Sequence, residues 1–349
     1  MKKYCVLLLV AILTVAAVSG CTPQPYGPES IPEESASLPK ESLFEMETDP
    51  GSLGHGPASP DRDETGARLP FHYEGGEMRL EYEVHATGMA KNVGFLVFID
   101  GIAQPYRLDE TDTSCQYMHI FDLEEDAKSY PFSFVFTPVT GKKGDTLALT
   151  VVSVYRPSFM PDMEETSGYR GYQTTLEGFY ELYFEADADL PDNSAVPRHR
   201  CLEIEQSTEP ITQEYLDILS DIEKPVTLET LNEQIVVELI FDGQRKYISS
   251  YAIEADGTLY VTFKITGRPG ARYRHTFYID HQALTDEGKV SFETVLTYGN
   301  ISVIEAKIDL AKREDSGTFY VVSALCDIQA IQENCYPLLK TSSVLLYKK

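Results

Sequence analysis

Hydrophobic and polar residues alternate with a period of two along most of the chain. In GEMRLEYEV, Met78, Leu80, Tyr82 and Val84 fall on one side, with Arg79, Glu81 and Glu83 on the other. GTLYVTFKI does the same with Leu259, Val261, Phe263 and Ile265. Successive side chains of a strand point to opposite faces, so this pattern predicts strands with one buried and one wet face. Helical spacing stands out once. EPITQEYLDILSDIEKP sets Ile211, Tyr215, Ile218 and Ile222 along one side, which predicts a short amphipathic helix over 211–222, with Thr208 as its cap and Pro210 in its first turn. The polar side of that helix is acidic, whereas a helix lying on a membrane would carry basic residues there.

The strand pattern occurs twice in the same order. Gly76 and Gly257 open the two runs quoted above, 181 positions apart. FLVFIDG and HTFYIDH carry Asp100 and Asp280, offset by 180. FSFVFTPVTGKKGDT and IEAKIDLAKREDSGT align at an offset of 172, which sets Phe132, Phe134 and Phe136 against Ile304, Ala306 and Ile308. Three landmarks at a nearly constant offset predict a diverged tandem repeat. The fall in offset puts extra residues into the first copy between Gly101 and Tyr130. Units of this size, built from short strands and Gly/Asp turns, point to β-sandwiches. DSGTFYV, at 315–321, resembles the D-x-G-x-Y-x-C signature of immunoglobulin domains through Asp315 and Gly317. Phe319 and Val321 stand where that family has its tyrosine and cysteine, and the chain has no tryptophan. The resemblance therefore implies an immunoglobulin-like architecture rather than membership of a particular family.

The N-terminus departs from this pattern. Lys2 and Lys3 precede an apolar run from Cys5 to Val18, too short to span a bilayer and suited to a secretory signal. The junction Val18-Ser19-Gly20-Cys21 resembles the lipobox of bacterial lipoproteins. That resemblance implies cleavage before Cys21, lipidation of Cys21, and a membrane anchor made by its acyl chains on the outer face of the cytoplasmic membrane. Residues 22–70 hold nine of the 20 prolines and show no sustained period, which predicts a disordered tether. The expected organisation is a signal at 1–20, a lipid-anchored tether at 21–68, a first sandwich at 69–190, a linker with the short helix at 191–224, and a second sandwich at 225–349. The expected fold class is all-β.

The formal net charge of -26 disfavours a nucleic-acid partner, since binding phosphates needs a basic surface. EADADLPDN gathers Glu185, Asp187, Asp189, Asp192 and Asn193, hard oxygen ligands that raise calcium as an alternative to simple solubility. It lacks the glycine and terminal glutamate of an EF-hand loop. Cys326 and Cys335 flank DIQAIQEN between two strand-like runs and are candidates for a hairpin disulfide, with buried free thiols as the alternative. No Cys/His spacing suggests zinc, and His275 and His281 lack a third ligand, so no metal and no cofactor is expected. The G-x-S-x-G and H-E-x-x-H motifs are both absent. SGYRGYQTTLEGFYELYF offers the most distinctive surface chemistry: Tyr169, Arg170 and Tyr172, set among glycines, are expected on an exposed loop as partner-binding residues. The resulting expectation is a non-catalytic, lipid-anchored surface protein that recognises a protein or polysaccharide of the envelope. A secreted hydrolase and a solute-binding lipoprotein of a transporter are the alternatives. The last of these requires two helix-rich α/β lobes.

Overall fold

The computed structural model describes residues 50–348 except 110–113, 162–168, 170, 190–201, 221–224, 244–248, 255, 312–315 and 327–336. Cys21, Asp192, Asn193, Arg170, Ile222, Asp315 and Cys335 lie outside the described residues.

The first sandwich contains β1 (Leu53–Pro57), β2 (Phe71–Tyr73), β3 (Met78–Ala86), β4 (Asn92–Ile99), β5 (Ile102–Gln104), β6 (Arg107–Leu108), β7 (His119–Asp122), β8 (Tyr130–Phe136), β9 (Thr146–Tyr155) and β10 (Thr175–Phe184). One sheet runs β1-β3-β8-β6; the other runs β2-β10-β9-β4-β5, with β7 added on β4. These are the ABED and GFC layers of an immunoglobulin-like sandwich. The second sandwich contains β11 (Leu202–Pro210), α1 (Gln213–Leu219), α2 (Leu228–Leu231), β12 (Ile235–Phe241), β13 (Ser250–Ile253), β14 (Thr258–Gly267), β15 (Arg272–Ile279), β16 (Gln282–Ala283), β17 (Phe292–Val295), β18 (Asn300–Asp309), β19 (Ser316–Leu325), β20 (Leu338–Lys340) and β21 (Val344–Lys348). Its sheets run β11-β18-β14-β12 and β13-β21-β19-β15-β16. With so little helix, a solute-binding protein of two α/β lobes is ruled out.

The two copies agree residue by residue. Leu80 pairs with Phe134 and Tyr82 with Phe132; the counterparts Val261 and Phe263 pair with Ala306 and Ile304. Gly76 and Gly257 take φ of 72° and 75°, and Asp100 and Asp280 both take 48°. The copies differ at one sheet edge. The longer insert of the first copy supplies β6, which pairs with β8. The second copy lacks that insert, and β11 takes the equivalent edge beside β18.

Three expectations need correction. The first sandwich starts at β1, inside the stretch 21–68 assigned to the tether. LGHGP carries no strand pattern; it is held by antiparallel pairing with β3 and by His55, whose Nδ1 accepts the Tyr82 hydroxyl at 2.7 Å. The stretch 191–224 assigned to a linker contains β11, in which only Leu202 is buried, so backbone pairing rather than burial holds it. The helix is shorter than 211–222. Thr212, not Thr208, caps it by accepting the Tyr215 amide, and Pro210 ends β11. Its buried face is Tyr215 and Leu216, which with Leu231 of α2 cover Ile301 and Val303 on the outer side of β18; Ile218 points outward.

Aromatic rings replace the missing tryptophan in the first core, where Tyr82, Phe95, Phe132, Phe134 and Tyr106 meet edge to face or at a tilt. In the second core Phe319 and Val321, the departures from the immunoglobulin signature, are fully buried and pack as ordinary core residues. His275 is fully buried there, bonded to Ser323 and Thr294, and burial lowers its pKa to about 3 from 6.5. The unfolded chain therefore binds the extra proton between about pH 3 and 6.5. The stability that comes from keeping His275 neutral is full above that window and lost as pH falls through it. Replacing His275 by Gln should flatten denaturation midpoints across that range.

A third apolar cluster joins the sandwiches. Leu96 and Phe98 of β4 and Val152 and Val154 of β9 meet Tyr278 of β15 and Tyr320, Val322 and Ala324 of β19. The central strands of the two GFC sheets, β4 and β9 in one and β15 and β19 in the other, are thus buried on two faces. Continuous apolar runs such as FLVFI suit strands covered on both sides.

Candidate partner-binding surface

Beyond β9 the chain makes a tight corner. Arg156 adopts φ of 45°, and its amide donates to the Asn92 carbonyl at 2.8 Å. The Phe159 amide then donates to the Arg156 carbonyl at 3.0 Å. The segment leading into β10 folds back onto this corner. The rings of Tyr155 and Tyr172 lie parallel within 9° at 6.1 Å, and Phe159 sits 3.9 Å from Tyr172. The Arg156 guanidinium caps the group, 5.0 Å from the Tyr172 ring and 5.5 Å from Phe159. All four side chains are half-buried. Stacked rings under a guanidinium form a flat, rigid, amphipathic patch, and the flanking Met160 is exposed.

Polar ties fix the patch to both sandwiches. Gln173 is fully buried and donates to the carbonyls of Pro157 and Phe159 at 3.2 and 3.1 Å. Its own oxygen accepts from Ser343 of the second sandwich at 2.6 Å. The Tyr155 hydroxyl donates to the Pro50 carbonyl at 3.0 Å. Side chains already held in place lose little entropy when a partner arrives.

Of the residues singled out in the sequence, Tyr172 lies in this patch. Tyr169 does not occupy an exposed loop. It is only 4% exposed, and its hydroxyl sits 2.7 Å from Thr318 Oγ1 in the second sandwich. Burial raises its pKa to about 12. Gly171 does break the strand, with φ of 80°, but Tyr169 packs against the neighbouring sandwich, a contact that no local pattern reveals. Tyr155, Arg156 and Phe159 escaped notice. Their signal was the YRPSF run at the end of a strand, a second Tyr-Arg pair that mirrors YRGY.

The other candidates stand apart from the patch. Cys326 is a buried free thiol, packed at the end of β19 with its amide on the Arg272 carbonyl, and burial raises its pKa to about 12. Glu185 binds His72, Asp187 accepts the Lys143 amide, and Asp189 accepts the Gly76 amide, so these three carboxylates hold turns rather than converge. His275 and His281 have separate partners, and among the described residues no three His, Cys, Asp or Glu side chains gather as metal ligands. A cleft of about 420 Å³ at the end of the second sandwich is lined by Glu203, Asp256, Lys307 and Asp309. Its charges are already engaged: Glu203 pairs with Lys307 at 3.2 Å, Asp256 accepts the Thr258 amide, and Asp309 accepts the Ala311 amide.

No family description matches the chain, and no curated protein matches it. Solved structures that overlay on it include the C-terminal domain of the AgI/II polypeptide BspA of Streptococcus agalactiae, at 8% identity and a TM-score of 0.18, covering 85% of this chain and 100% of that one. A marsupial T cell receptor overlays at 9% identity and 0.18, covering 85% and 73%. CBD12 from CALX1.2 overlays at 8% identity and 0.19, covering 80% and 97%. The assignment of two immunoglobulin-like sandwiches rests on the strand order and register of the chain itself.

Proposed function

We propose that the protein is a lipid-anchored, non-catalytic surface protein that presents two joined sandwiches to a protein or polysaccharide of the bacterial envelope. Recognition runs through Tyr155, Arg156, Phe159 and Tyr172. The observation that carries this reading is the patch itself: three rings and a guanidinium, half-exposed and braced from below by Gln173. Tyrosine and arginine dominate binding hot spots, and a braced patch meets its partner in a single conformation. The lipobox at Val18–Cys21 and the proline-rich stretch behind it supply the anchor and the spacer.

Two experiments test the parts separately. Arg156→Ala and Tyr172→Ala should each weaken capture of the envelope partner by roughly 30-fold, a loss of about 2 kcal/mol. Stability should change by about 1 kcal/mol or less, because both side chains are half-exposed. Loss of capture only in variants that have unfolded would refute the patch. Labelled fatty acid should enter the native chain and not Cys21→Ser, and equal labelling of the two would refute the anchor.

A further inference from the structure

A strand at the edge of a sheet turns every second amide and carbonyl outward, where another chain can pair with them. Proteins blunt such edges with proline, charge or brevity. In the first sandwich β1 carries Pro57. The Thr87 amide donates to the Ser52 carbonyl and the Ala58 amide to the Glu81 carbonyl, so even positions of this strand bond β3 and odd ones, Pro57 among them, face outward. A proline there offers an incoming strand no donor. At the other edge of the same sheet, β6 is two residues long. In the second sandwich β11 ends in Pro210. The Ile211 amide donates to the Gly299 carbonyl, which puts odd positions toward β18 and Pro210 outward. β11 also carries Glu203, Glu205 and Glu209.

β12 has none of these guards. It reads IVVELIF, with no proline, glycine or lysine and a single charge, Glu238. The Asp242 amide donates to the Tyr260 carbonyl at 3.1 Å, so even positions bond β14, and Ile235, Val237, Leu239 and Phe241 turn their backbone groups outward. Among the described residues no backbone group meets those of Val237 or Leu239 from that side. The two copies part at one position. Pro57 lies opposite Tyr82, and Leu239 lies opposite the counterpart of Tyr82, Phe263. Where the first copy blocks its edge, the second leaves its edge able to pair. The sheet is also clear of the seam, since none of its strands enters the cluster that joins the sandwiches.

We propose that β12 is a dimer edge, which pairs antiparallel with β12 of a second copy and joins the two four-stranded sheets into one continuous sheet.

The side chains select that occupant. Ile235, Val237 and Leu239 pack on the core side of the sheet, Val236 packs beside Leu231 on the outer side, and Ile240 is buried. A strand laid beside β12 meets apolar neighbours on both faces, so it must itself be apolar on both faces, and β12 is such a strand. Symmetry then limits the register. A two-fold axis at Val237 or at Leu239 lets that residue exchange both backbone bonds with its own copy, and it sets each Glu238 opposite Val236 or Ile240. An axis at Glu238 would set two carboxylates directly opposite each other, which is destabilising. The formal charge of -26 on each chain opposes association at long range, and salt therefore tightens the dimer.

Sedimentation equilibrium of the full chain in detergent, at about 0.3 M salt to screen that repulsion, tests the edge. The native chain should dimerise with a micromolar Kd. Leu239→Pro copies the guard of the first sandwich. It spares the bonds to β14, because the Leu239 amide faces outward, and it should weaken dimerisation by at least about tenfold with the far-UV β signal retained. Thr208→Pro, at an outward position of the already guarded β11, should leave dimerisation unchanged. Should Leu239→Pro fail to fold, cross-linking decides. Hydrogen-bonded partners in an antiparallel pair stand about 5.5 Å apart at Cα, within disulfide reach. Val237→Cys or Leu239→Cys, whichever lies on the axis, should then give a covalent dimer under mild oxidation that the native chain does not give. A native chain that stays monomeric up to about 100 µM, a dimer indifferent to a folded Leu239→Pro or equally weakened by Thr208→Pro, or no cross-link from either cysteine would overturn the proposal.

Discussion

Val322→Asp should destabilise the chain by about 3 kcal/mol or more, because it buries a carboxylate in an apolar cluster, and the cation opposite, Lys340 on β20, is already bonded to Ser343 and the Thr341 carbonyl. Val322 is fully buried in the cluster joining the two sandwiches, on the side of β19 that faces away from its own core. An isolated sandwich would place that side in water and would tolerate the charge. The size of the effect therefore reports the seam and not the second sandwich. Tyr260, on the opposite sheet of the same sandwich, is 53% exposed, so Tyr260→Asp should stay within about 0.5 kcal/mol. Urea denaturation of the two variants makes the comparison. Similar midpoints would show that the seam contributes little.

Phe134→Ala should cost about 3–5 kcal/mol. Its ring is fully buried and lies 4.8 Å from Tyr106, 5.0 Å from Phe132 and 5.1 Å from Tyr82, so truncation opens a cavity among groups that cannot collapse into it. The counterpart in the second copy, Ala306, is already an alanine and pairs with Val261 in the same register. One backbone position thus carries opposite side-chain sizes, because the first core is filled with rings and the second largely with aliphatic groups and phenylalanines. Thermal melts followed by the far-UV β signal measure the effect. A cost below about 1 kcal/mol would mean the ring cluster is looser than its geometry implies.

The strands that alternate were legible, since one face of each meets water. MRLEYEV and LYVTFKI gave both their position and their buried side, and the repeat offsets matched the sheet registers because register is fixed wherever one face is buried. Elements held mainly by pairing with a neighbouring strand were not legible. β1 reads LGHGP and β11 reads LEIEQSTEP, and neither composition announces a strand that exists because a neighbouring edge is open. The seam was visible in part. FLVFI and the LTVVSV run of β9 are apolar on both faces, a pattern that calls for a second layer on the outer side, but nothing local says which layer supplies it. Tyr169 was placed on the surface for the same reason. Its partner Thr318 lies 149 residues away, and only the packing of two repeats brings them together.

The account rests on the patch being the face that meets a partner. A photoreactive phenylalanine analogue at position 172, in the full chain on its native envelope, tests that face directly, with the same analogue at the exposed position 260 as reference. The account predicts a partner adduct from position 172 that disappears when Arg156 is also replaced by Ala, and none from position 260. Adducts of equal yield from both positions, or none from position 172, would contradict it.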